Sequence, residues 1–533
     1  KFNSKKIIYE SFKTKDDIIV GLDAGTSLIK FVAFDLDGKV IDSASVRNKV
    51  YYRSGSKAEQ SLNETWDKVI DSFNQLQEKI DNLKDRILGI SITGQGDGSW
   101  PIDKNADPVG DAALWLDGRS GDIIDDWRNS SIGPSISKIT HTGLNASMQS
   151  GQMFHIFHNE KDRFDKIDKV LRCKDWIFYK MTGQILTDIS ESIMTWGSPM
   201  TRKYDDEILN ILNFGSMKKL QPEIIDSTKY VGKLTSDAAK RLDLLEATPI
   251  ILAPVDVVCA GIGSGFVDSS KKIGCTVLGT AGIHIFVDFE NNQVDPQKML
   301  GYTFPLAGLS ANAKMVSNMV ASLNTDWLID IYSEIGNELG SKNLNKTEIL
   351  QLFEESASNS EPANIFYFPF ISPNGERGPF VNAKARAQFL GLNTMTKPSD
   401  LVRALYESLG YACKDCYVEF GANLNLLRLT GGASNSPTVR KIVGSITRNN
   451  TQVIDNSEQG AAGACMVALL ALNQSQEYKD LNKNWVEPYL QEEETYDVEL
   501  SQIYDKAFEV YKSGYESMKD FWNKNHYLQE NKS

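Results

Sequence analysis

Long apolar runs, cysteine and positive charge are all scarce in this sequence, and each shortage excludes a class of function. No stretch of the 533 residues approaches the roughly 18 apolar residues that predict a membrane-spanning helix. Lys and Arg number 57 against 70 Asp and Glu, and the net charge of −13 argues against nucleic acid or an anionic membrane as a partner. Neither GxGxxG nor GxxxxGKS/T occurs, so the sequence predicts neither a Rossmann dehydrogenase nor a P-loop.

The six cysteines are too few for a disulfide framework in a chain of this length, which favours a reducing compartment. The N-terminal segment KFNSKKIIYESFKTKDD lacks the apolar core of a secretory signal, so we expect a cytoplasmic protein. Cys413 and Cys416 form a CxxC in a helix-like run. We interpret them as two half-buried thiols on one helix face, because a zinc site would need two further ligands at a fitting spacing.

A short loop between two β-type runs occurs twice, and it is the most informative feature of the sequence. The first copy lies in IIVGLDAGTSLIKFVAFDLDGKVI, residues 18–41, and the second in CTVLGTAGIHIFVDFE, residues 275–290. Backbone N–H groups and hydroxyls of such small-residue turns can close on an anion. Two copies predict two domains that face one nucleotide and carry out phosphoryl transfer. We divide the chain into an N-terminal extension, two domains and a helical tail, at residues 1–17, 18–265, 272–475 and 476–533.

The first loop offers a metal ligand and phosphate donors side by side. Asp23 ends a predicted buried strand, and Gly25, Thr26 and Ser27 form the turn that follows. Phosphoryl transfer requires Mg²⁺ on oxygen ligands, often through water, and donors for the phosphate oxygens. Asp23 can serve the metal, whereas Thr26, Ser27 and Lys30 can serve the phosphates. An ordinary hairpin with an Asx turn is the alternative.

Asp256 is the candidate general base. It follows the apolar run IILAPV and precedes the small-residue segment VVCAGIG. A carboxylate at the mouth of a buried strand is unfavourable unless it is solvated, paired or catalytic. A base for a sugar hydroxyl needs this fixed, partly buried placement beside a cleft. The alternative is an aspartate that caps the following helix.

The loop GQGDGSW, residues 94–100, follows another predicted buried strand and offers polar groups to a polyol. Gln95 and Asp97, with Gly96 between them, present an amide and a carboxylate, and such pairs reject analogues that lack a hydroxyl. The alternative is a glycine turn with solvated side chains. In the segment WLDGR, Asp117 and Arg119 form either part of the site or a buried structural ion pair.

A third group of small residues predicts where a flat ring could approach the backbone. Gly431, Gly432 and Ala433 follow the predicted strand LLRLT and precede a helix. Glycines at such a position leave the backbone accessible. A tight connection between strand and helix is the alternative.

Taken in this order, the motifs resemble the FGGY family of carbohydrate kinases over residues 18–475. The segment AQFLGLNTMTKPSDLVRALYE, residues 387–407, is similar to the family's C-terminal signature. The resemblance implies an α/β fold of two ribonuclease H-like domains of the actin and Hsp70 type, with mixed five-stranded sheets and a cleft between them. It implies ATP as the phosphoryl donor, Mg²⁺ held by Asp23 through water, and Asp256 as the base. The family's ATP-binding residues fall on Asp23, Gly25, Thr26, Ser27, Lys30, Gly279, Thr280, Gly431, Gly432, Ala433 and Ser436.

Within the family, five segments are most similar to erythritol kinases: ITGQGDGSW, ALWLDGRS, TGLNASMQSGQ, RCKDWIFYKMTG and GERGPFVNAKARAQF. This similarity adds Asp117 and Gln149 to Gln95, Gly96 and Asp97 as substrate-binding residues. Glycerol kinases carry Arg-Glu, and xylulokinases Met-His, where this chain has Gly96 and Asp97, which argues against glycerol and D-xylulose. Erythritol is therefore the first expected substrate. L-Xylulose is the second, because its kinases share the Gln-Gly-x-Gly pattern and the Asp-Val-Val at residues 256–258.

The carboxylates of Asp97 and Asp256 predict a neutral polyol or sugar rather than a sugar acid, because like charges repel. The alternative that is not an enzyme is an actin-like or Hsp70-like nucleotide switch or sensor, which would keep both phosphate loops but need no substrate loop or base. The expected partner is the small-molecule substrate, and a homodimer is left open alongside a monomer.

Overall fold

The computed structural model describes residues 16–340, 344–473 and 476–530, and it divides into two compact units that interleave along the chain. The first unit comprises Lys1–Asp268, Asp288–Ala313 and Asn456–Tyr489, and the second comprises Ser269–Val287, Lys314–Asp455 and Leu490–Ser533. Residues 1–15, which hold most of the predicted N-terminal extension, lie outside the described residues. So do residues 474–475, where the predicted second domain ends, and residues 531–533 of the predicted tail.

The first unit is built on a mixed sheet whose central strands are apolar. Ile18–Ala24 lies between Ile87–Gly94, to which it is parallel, and Leu28–Asp35, to which it is antiparallel. Nearly every side chain of these strands is buried, which is typical of a sheet covered on both faces. The full order is Gly232–Lys233, Pro249–Leu252, Ile87–Gly94, Ile18–Ala24, Leu28–Asp35, Val40–Arg47.

Helix Leu62–Gln77 shows why a neighbouring segment folds onto this sheet. Its apolar residues Trp66, Val69 and Phe73 recur at spacings of three and four, which places them on one buried face. Ser61 caps the helix by accepting a hydrogen bond from the backbone N–H of Glu64. The face packs into the core of the sheet, which also contains Phe31.

The remaining helices of the first unit are Leu83–Arg86, Gly121–Arg128, Ile132–Thr140, Gln149–Asn159, Lys161–Phe164, Cys173–Thr182, Ile189–Trp196, Asp206–Ile211, Ser236–Leu242, Asp256–Gly263, Gln459–Leu472 and Tyr478–Trp485, with 3₁₀ turns Gly215–Leu220 and Glu487–Tyr489. Its shorter strands are Tyr51–Arg53, Lys57–Gln60, Trp100–Ile102, Ala112–Ala113, Lys169–Leu171, Leu186–Asp188, Gly197–Ser198, Lys203–Tyr204, Glu223–Ile225 and Tyr302–Pro305. Most of these elements lie between residues 97 and 248, after the second parallel strand and before the third.

The second unit repeats the hairpin and parallel strand of the first. Ile273–Leu278 pairs antiparallel with Gly282–Asp288 and parallel with Leu426–Thr430. In this unit the strand order is Asn312–Asn318, Gly282–Asp288, Ile273–Leu278, Leu426–Thr430, Asn450–Val453. Its helices are Leu323–Glu338, Lys346–Asn359, Pro398–Glu419, Pro437–Thr447 and Val498–Glu530, with a 3₁₀ turn at Gly432–Asn435 and a two-stranded ribbon of Phe366–Phe368 and Gln388–Leu390.

The structure confirms the α/β fold but changes two details of the prediction. The large sheet of the first unit has six strands among the described residues rather than five. In the first sheet the additional strand, Gly232–Lys233, is only two residues long and pairs antiparallel with Pro249–Leu252, so no alternating pattern could reveal it. Cys413 and Cys416 share helix Pro398–Glu419 as predicted, but both are fully buried. No helix within the described ranges combines the length and apolarity that a bilayer crossing requires.

Candidate active site

Three neighbouring parallel strands of the first unit end at the same edge of its sheet. Ile18–Ala24 leads into the first phosphate loop, Ile87–Gly94 into the predicted substrate loop, and Pro249–Leu252 towards Asp256. Ligand sites of α/β sheets lie at the carboxyl ends of parallel strands. The strand order therefore explains why residues far apart in sequence come together.

Hydrogen bonds extend this register beyond the ends of the strands. The backbone N–H of Gln95 donates to the carbonyl of Ala24 at 2.9 Å. The hydroxyl of Thr93 donates to the carbonyl of Pro254 at 2.6 Å. The three loops are thus tied to each other at their first residues.

Asp23 is half-buried at the end of its strand. The pKa of its carboxyl is raised to about 6, mainly by burial and also by the charge of nearby Glu458, while Lys30 lowers it. A side chain at position 460 would crowd Asp23, because a Cβ on Gly460 would lie 3.1 Å from Oδ2 of Asp23. Glycine at this position keeps the carboxylate accessible.

Lys30 has a partner within the protein, and its contact with a phosphate stays a prediction. Its Nζ forms an ion pair with Glu458, which immediately precedes helix Gln459–Leu472. Sequence reasoning missed Glu458, since a lone acid before a small-residue helix carries no motif. Lys30 lies opposite Asp23 in the hairpin register, so the two carboxylates share one nearby cation.

The hydroxyl of Thr26 is also used within the protein. It donates to Oε1 of Gln95 at 3.0 Å and accepts a hydrogen bond from the indole N–H of Trp115 at 2.8 Å. A phosphate contact of the Thr26 hydroxyl would compete with these bonds and stays a prediction, as does that of Ser27, which is exposed. Gly25, at the start of the turn, is half-buried.

Asp256 is the first residue of helix Asp256–Gly263. It does not act as the N-cap, because Val255 occupies that position, although Oδ1 of Asp256 accepts a hydrogen bond from the N–H of Val257 at 2.7 Å. Burial raises the pKa of Asp256 well above its usual range, and the charges of Asp23, Glu191 and Asp97 add to the rise. A carboxyl with a raised pKa is a stronger base when ionised, which suits proton abstraction from a hydroxyl.

Close helix packing brings Asp256 towards the first phosphate loop. Helices Asp256–Gly263 and Gln459–Leu472 meet backbone to backbone, since a Cβ on Gly463 would lie 1.8 Å from the carbonyl oxygen of Cys259. A Cβ on Gly263 would likewise lie 2.1 Å from the carbonyl oxygen of Gln459. Only glycine permits this approach.

Gln95 is buried and links the substrate loop to the first phosphate loop. Its Oε1 accepts from Thr26, and its Nε2 donates to Oε1 of Gln60 at 2.9 Å. Gly96, the next residue, is half-buried. The two residues shape the loop, and direct contact of Gln95 with a substrate stays a prediction.

Asp97 lies in a group of polar side chains that could read hydroxyl groups. Its Oδ2 accepts hydrogen bonds from the hydroxyls of Ser147 at 2.6 Å and Tyr302 at 3.2 Å. Asn145 donates to the Tyr302 hydroxyl at 2.6 Å. Tyr302 was missed by sequence reasoning, because it belongs to the segment 288–313 that returns to the first unit.

The structure assigns Asp117 to the buried ion pair that was the alternative for this residue. Its side chain is fully buried, and its two oxygens accept from the guanidinium of Arg119 at 2.7 and 2.8 Å. The N–H of Ala58 also donates to it, at 2.8 Å. Since Arg119 pairs with Glu59 as well, Asp117 belongs to a buried ion-pair network, and its contact with a substrate stays a prediction.

Gln149 is likewise committed to the protein. Its Nε2 donates to the carbonyls of Gly98 and Leu171, each at 3.2 Å, and its Oε1 accepts from the indole N–H of Trp196 at 2.9 Å. The side chain is 1% exposed. Gln149 therefore supports the substrate loop through the carbonyl of Gly98, and its direct contact with a substrate stays a prediction.

In the second unit, the turn at residues 279–281 is held by backbone hydrogen bonds. The N–H of Ala321 donates to the carbonyl of Thr280, and that of Ser322 to the carbonyl of Gly279, both at 2.8 Å. Thr280 is exposed and Gly279 is half-buried. These positions fit the predicted phosphate loop.

Gly431 packs directly against that turn. Its φ is +91°, and a Cβ there would lie 2.6 Å from the carbonyl carbon of Leu278 and 2.8 Å from the nitrogen of Gly279. Gly432 is exposed with open space at its Cβ position, and Ala433 is half-buried. This surface is therefore accessible to a flat ring, as predicted.

Ser436 has partners within the unit. Its hydroxyl accepts from the N–H of Val439 at 3.0 Å, which caps helix Pro437–Thr447, and it donates to the carboxylate of Glu354. Glu354 also accepts from the N–H of Thr438 at 2.8 Å. The predicted ATP contact of Ser436 would have to displace this carboxylate.

The donor set of the first unit fits a magnesium ion. Among the described residues, no group of three or more His, Cys, Asp or Glu side chains could hold a metal by itself. Mg²⁺ usually retains waters and binds through one or two carboxylates and the substrate phosphates. Asp23 supplies such an oxygen, and the rise in its pKa on burial shows that its charge lacks a full counter-charge.

Comparisons with known proteins agree with this geometry. The models of the FGGY family of carbohydrate kinases match in both parts, the N-terminal domain at residues 18–263 and the C-terminal domain at residues 274–472. Erythritol kinase from Brucella abortus is 34% identical over 518 residues, covering 96% of this chain and 99% of that protein. Xylulose kinase from Staphylococcus xylosus is 24% identical over 511 residues, covering 93% and 99%.

The fold agrees with solved structures as well. Gluconate kinase from Lactobacillus acidophilus superposes with a TM-score of 0.85 at 21% identity, covering 95% of this chain and 99% of that one. The resemblance inferred from the motifs is thereby confirmed. The chain belongs to the FGGY family of carbohydrate kinases, which are phosphotransferases with an alcohol group as acceptor.

Proposed function

We propose that this enzyme transfers the γ-phosphoryl group of ATP to a hydroxyl of a small neutral polyol, and that erythritol is its substrate. The observation that carries the proposal is the convergence of Asp23, Asp97 and Asp256 at the ends of three neighbouring parallel strands. The 34% identity to an erythritol kinase, against 24% to a xylulose kinase, supports the choice of polyol. The six cysteines are buried thiols, which suits a cytoplasmic enzyme.

In the proposed reaction, Asp256 accepts the proton of the attacking hydroxyl, and that oxygen forms a bond to the γ-phosphorus as the bond to the ADP oxygen breaks. The raised pKa of Asp256 favours this transfer. Asp97, with Ser147 and Tyr302, orients the polyol through its other hydroxyls. The Mg²⁺ ion that Asp23 would hold, through water, supplies charge stabilisation for the phosphates.

The proposed kinase activity also accounts for residues that a nucleotide switch would not need. A switch requires the phosphate loops but neither a buried carboxylate with a raised pKa nor a polar loop beside it. Asp97 and Asp256 influence each other electrostatically, so both belong to one negative region. This region favours neutral substrates over sugar acids.

The test is ADP formation by the purified protein with Mg-ATP and a panel of erythritol, threitol, ribitol, xylitol, L-xylulose, D-xylulose, glycerol and erythronate. We expect erythritol to give the highest kcat/KM, and Asp256→Asn to lower kcat by about 10²- to 10⁴-fold, the usual contribution of general base catalysis. The matched control is Asp243→Asn, a change at an exposed position in the same unit.

Each result has a distinct meaning. Preference for L-xylulose would keep the mechanism and replace the substrate. Equal turnover of erythronate and erythritol would contradict the electrostatic argument. Binding of ATP without turnover of any compound would overturn the proposed function.

A further inference from the structure

The first turn of helix Ile189–Trp196 contacts two of the three site segments at once. Asp188 caps the helix by accepting from the N–H of Ser190 at 2.8 Å. The hydroxyl of Ser190 accepts from the N–H of Val255, the residue before the proposed base, at 3.2 Å. Oε1 of Glu191 accepts from the N–H of Asp97 at 2.8 Å. One short segment thus holds the backbone of both the base and the substrate loop.

Asp97 depends on such external support. Its φ is +56°, in the left-handed region, and the next residue, Gly98, has a φ of +78°. A non-glycine residue in this region costs about 1–2 kcal/mol and persists when its surroundings hold it. The hydrogen bond to Glu191 is a support of this kind.

The loop is also pressed against Glu191 by close contact. A Cβ on Gly96 would lie 2.7 Å from Cγ2 of Val255 and 3.2 Å from Oε1 of Glu191. The backbone of the loop therefore passes directly over the carboxylate. Glu191 itself is fully buried.

Glu191 needs both of its oxygens. Oε1 accepts from Asp97 and lies 3.8 Å from Nε of Arg172, while Oε2 lies 3.3 Å from Nζ of Lys174. An amide side chain has one acceptor oxygen and one donor nitrogen, so it cannot serve the loop and the cations together.

We propose that Glu191 is a positioning residue that fixes the substrate loop, so that the carboxylate of Asp97 is held ready for a polyol. This inference rests on the proposed function for its effect on catalysis. Its structural part, the support of the Asp97 backbone, can be measured without any substrate.

The chain offers a closely matched control in the same buried cluster. Oδ1 of Asp175 lies 3.1 Å from Nζ of Lys174, and Oδ2 accepts from the backbone N–H of Arg172 at 3.0 Å. Asp175 thus makes the same two kinds of contact as Glu191, one to Lys174 and one to a backbone N–H, but none of them is to the substrate loop. A merely structural carboxylate at position 191 would behave like this one.

The experiment compares Glu191→Gln with Asp175→Asn. Amide hydrogen exchange is followed in the peptide that contains residues 95–98, and KM is measured for erythritol and for ATP. In Glu191→Gln we expect about tenfold faster exchange and about tenfold higher KM for erythritol, as the loss of one charge-assisted hydrogen bond implies, with KM for ATP changed less than about twofold. In Asp175→Asn we expect the amide exchange rate of residues 95–98 and KM for erythritol to match those of wild type.

A second variant covers a failure of Glu191→Gln to fold. Glu191→Asp retains the charge but is shorter by one methylene, and we expect the same selective rise in KM for erythritol. Unchanged exchange at residues 95–98, or equal effects of the substitutions at 191 and 175, would overturn the inference. Faster exchange with an unchanged KM for erythritol would overturn the catalytic part. Failure of wild type to turn over any polyol of the panel would count against the proposed function, while the exchange result would still decide the contact.

Discussion

The two phosphate loops share a backbone plan but differ in charge. The turn after Asp23 lies beside the ion pair of Lys30 and Glu458, so two carboxylates and one cation lie together there. The turn at residues 279–281 contains no ionisable side chain and is held by backbone hydrogen bonds. The difference shows that a repeated hairpin can differ in charge. Under the proposed function, the first copy would supply a metal ligand and the second would supply neutral contacts to phosphate and ring.

The largest effect is expected from removing the charge of Asp23, which distinguishes the first loop from the second. We expect Asp23→Asn to lower kcat with Mg-ATP by about 10²- to 10³-fold, because a neutral amide stabilises neither the metal nor the charge it carries. The measurement is the steady-state rate at saturating erythritol. The same change at the exposed Asp71 is the control, and a kcat within about threefold of wild type would show that the charge of the first loop is not needed.

The next effect tests the backbone packing of the second loop. Gly431→Ala forces a side chain into a φ of +91° and against Leu278, so we expect the free energy of unfolding to fall by about 2 kcal/mol or more and KM for ATP to rise. Gly432→Ala is the matched control, because its Cβ meets open space. It should leave stability within about 0.5 kcal/mol yet raise KM for ATP if a ring lies on this surface. Equal stability of the two variants would contradict the packing argument.

A third prediction concerns the pH dependence of stability and a buried acid of the second unit. Glu376 accepts hydrogen bonds from Met319, Arg377 and Gly378, and burial raises its pKa to about 7 even though these bonds lower it. The folded pKa exceeds the ordinary 4.5, so its contribution to stability is present below pH 4.5 and is lost as the pH rises towards 7. We expect this part of the loss to approach 3 kcal/mol, on the order of 1.4 kcal/mol for each pKa unit.

Urea unfolding at about pH 5 and about pH 7.5 measures this loss. Glu376→Gln should lack that part of the pH dependence, and the exposed Glu355→Gln should retain it. The same pH dependence of the free energy of unfolding in wild type and in Glu376→Gln would contradict a raised pKa of Glu376.

Sequence reasoning found the elements whose signals are local. The loop after Asp23, the loop at residues 94–100 and Asp256 each follow an apolar strand, and parallel pairing places them at one edge. Pairings over long distances could not be read in the same way. Glu458 contacts Lys30 from 428 residues away, and Glu191 contacts Asp97 from 94 residues away.

Two of the predicted substrate ligands show a second reason why sequence reasoning was incomplete. Asp117 and Gln149 have the polarity of substrate ligands, and their positions in the chain lie near those of true candidates. Whether such a side chain faces a substrate depends on which buried partners satisfy it, and here Arg119 and Trp196 do so. Burial and partners are properties of the folded chain, and a motif does not specify them.

The contact between helices Asp256–Gly263 and Gln459–Leu472 has a consequence for how this enzyme can be diversified. With 1.8 Å between a Cβ on Gly463 and the carbonyl oxygen of Cys259, any larger residue would force the helices apart and move Asp256, the proposed base. Variant libraries that seek new acceptors should keep these glycines constant and vary the shell around Asp97. Among related kinases that differ in substrate preference, we likewise expect these glycines to be constant and the residues around Asp97 to vary.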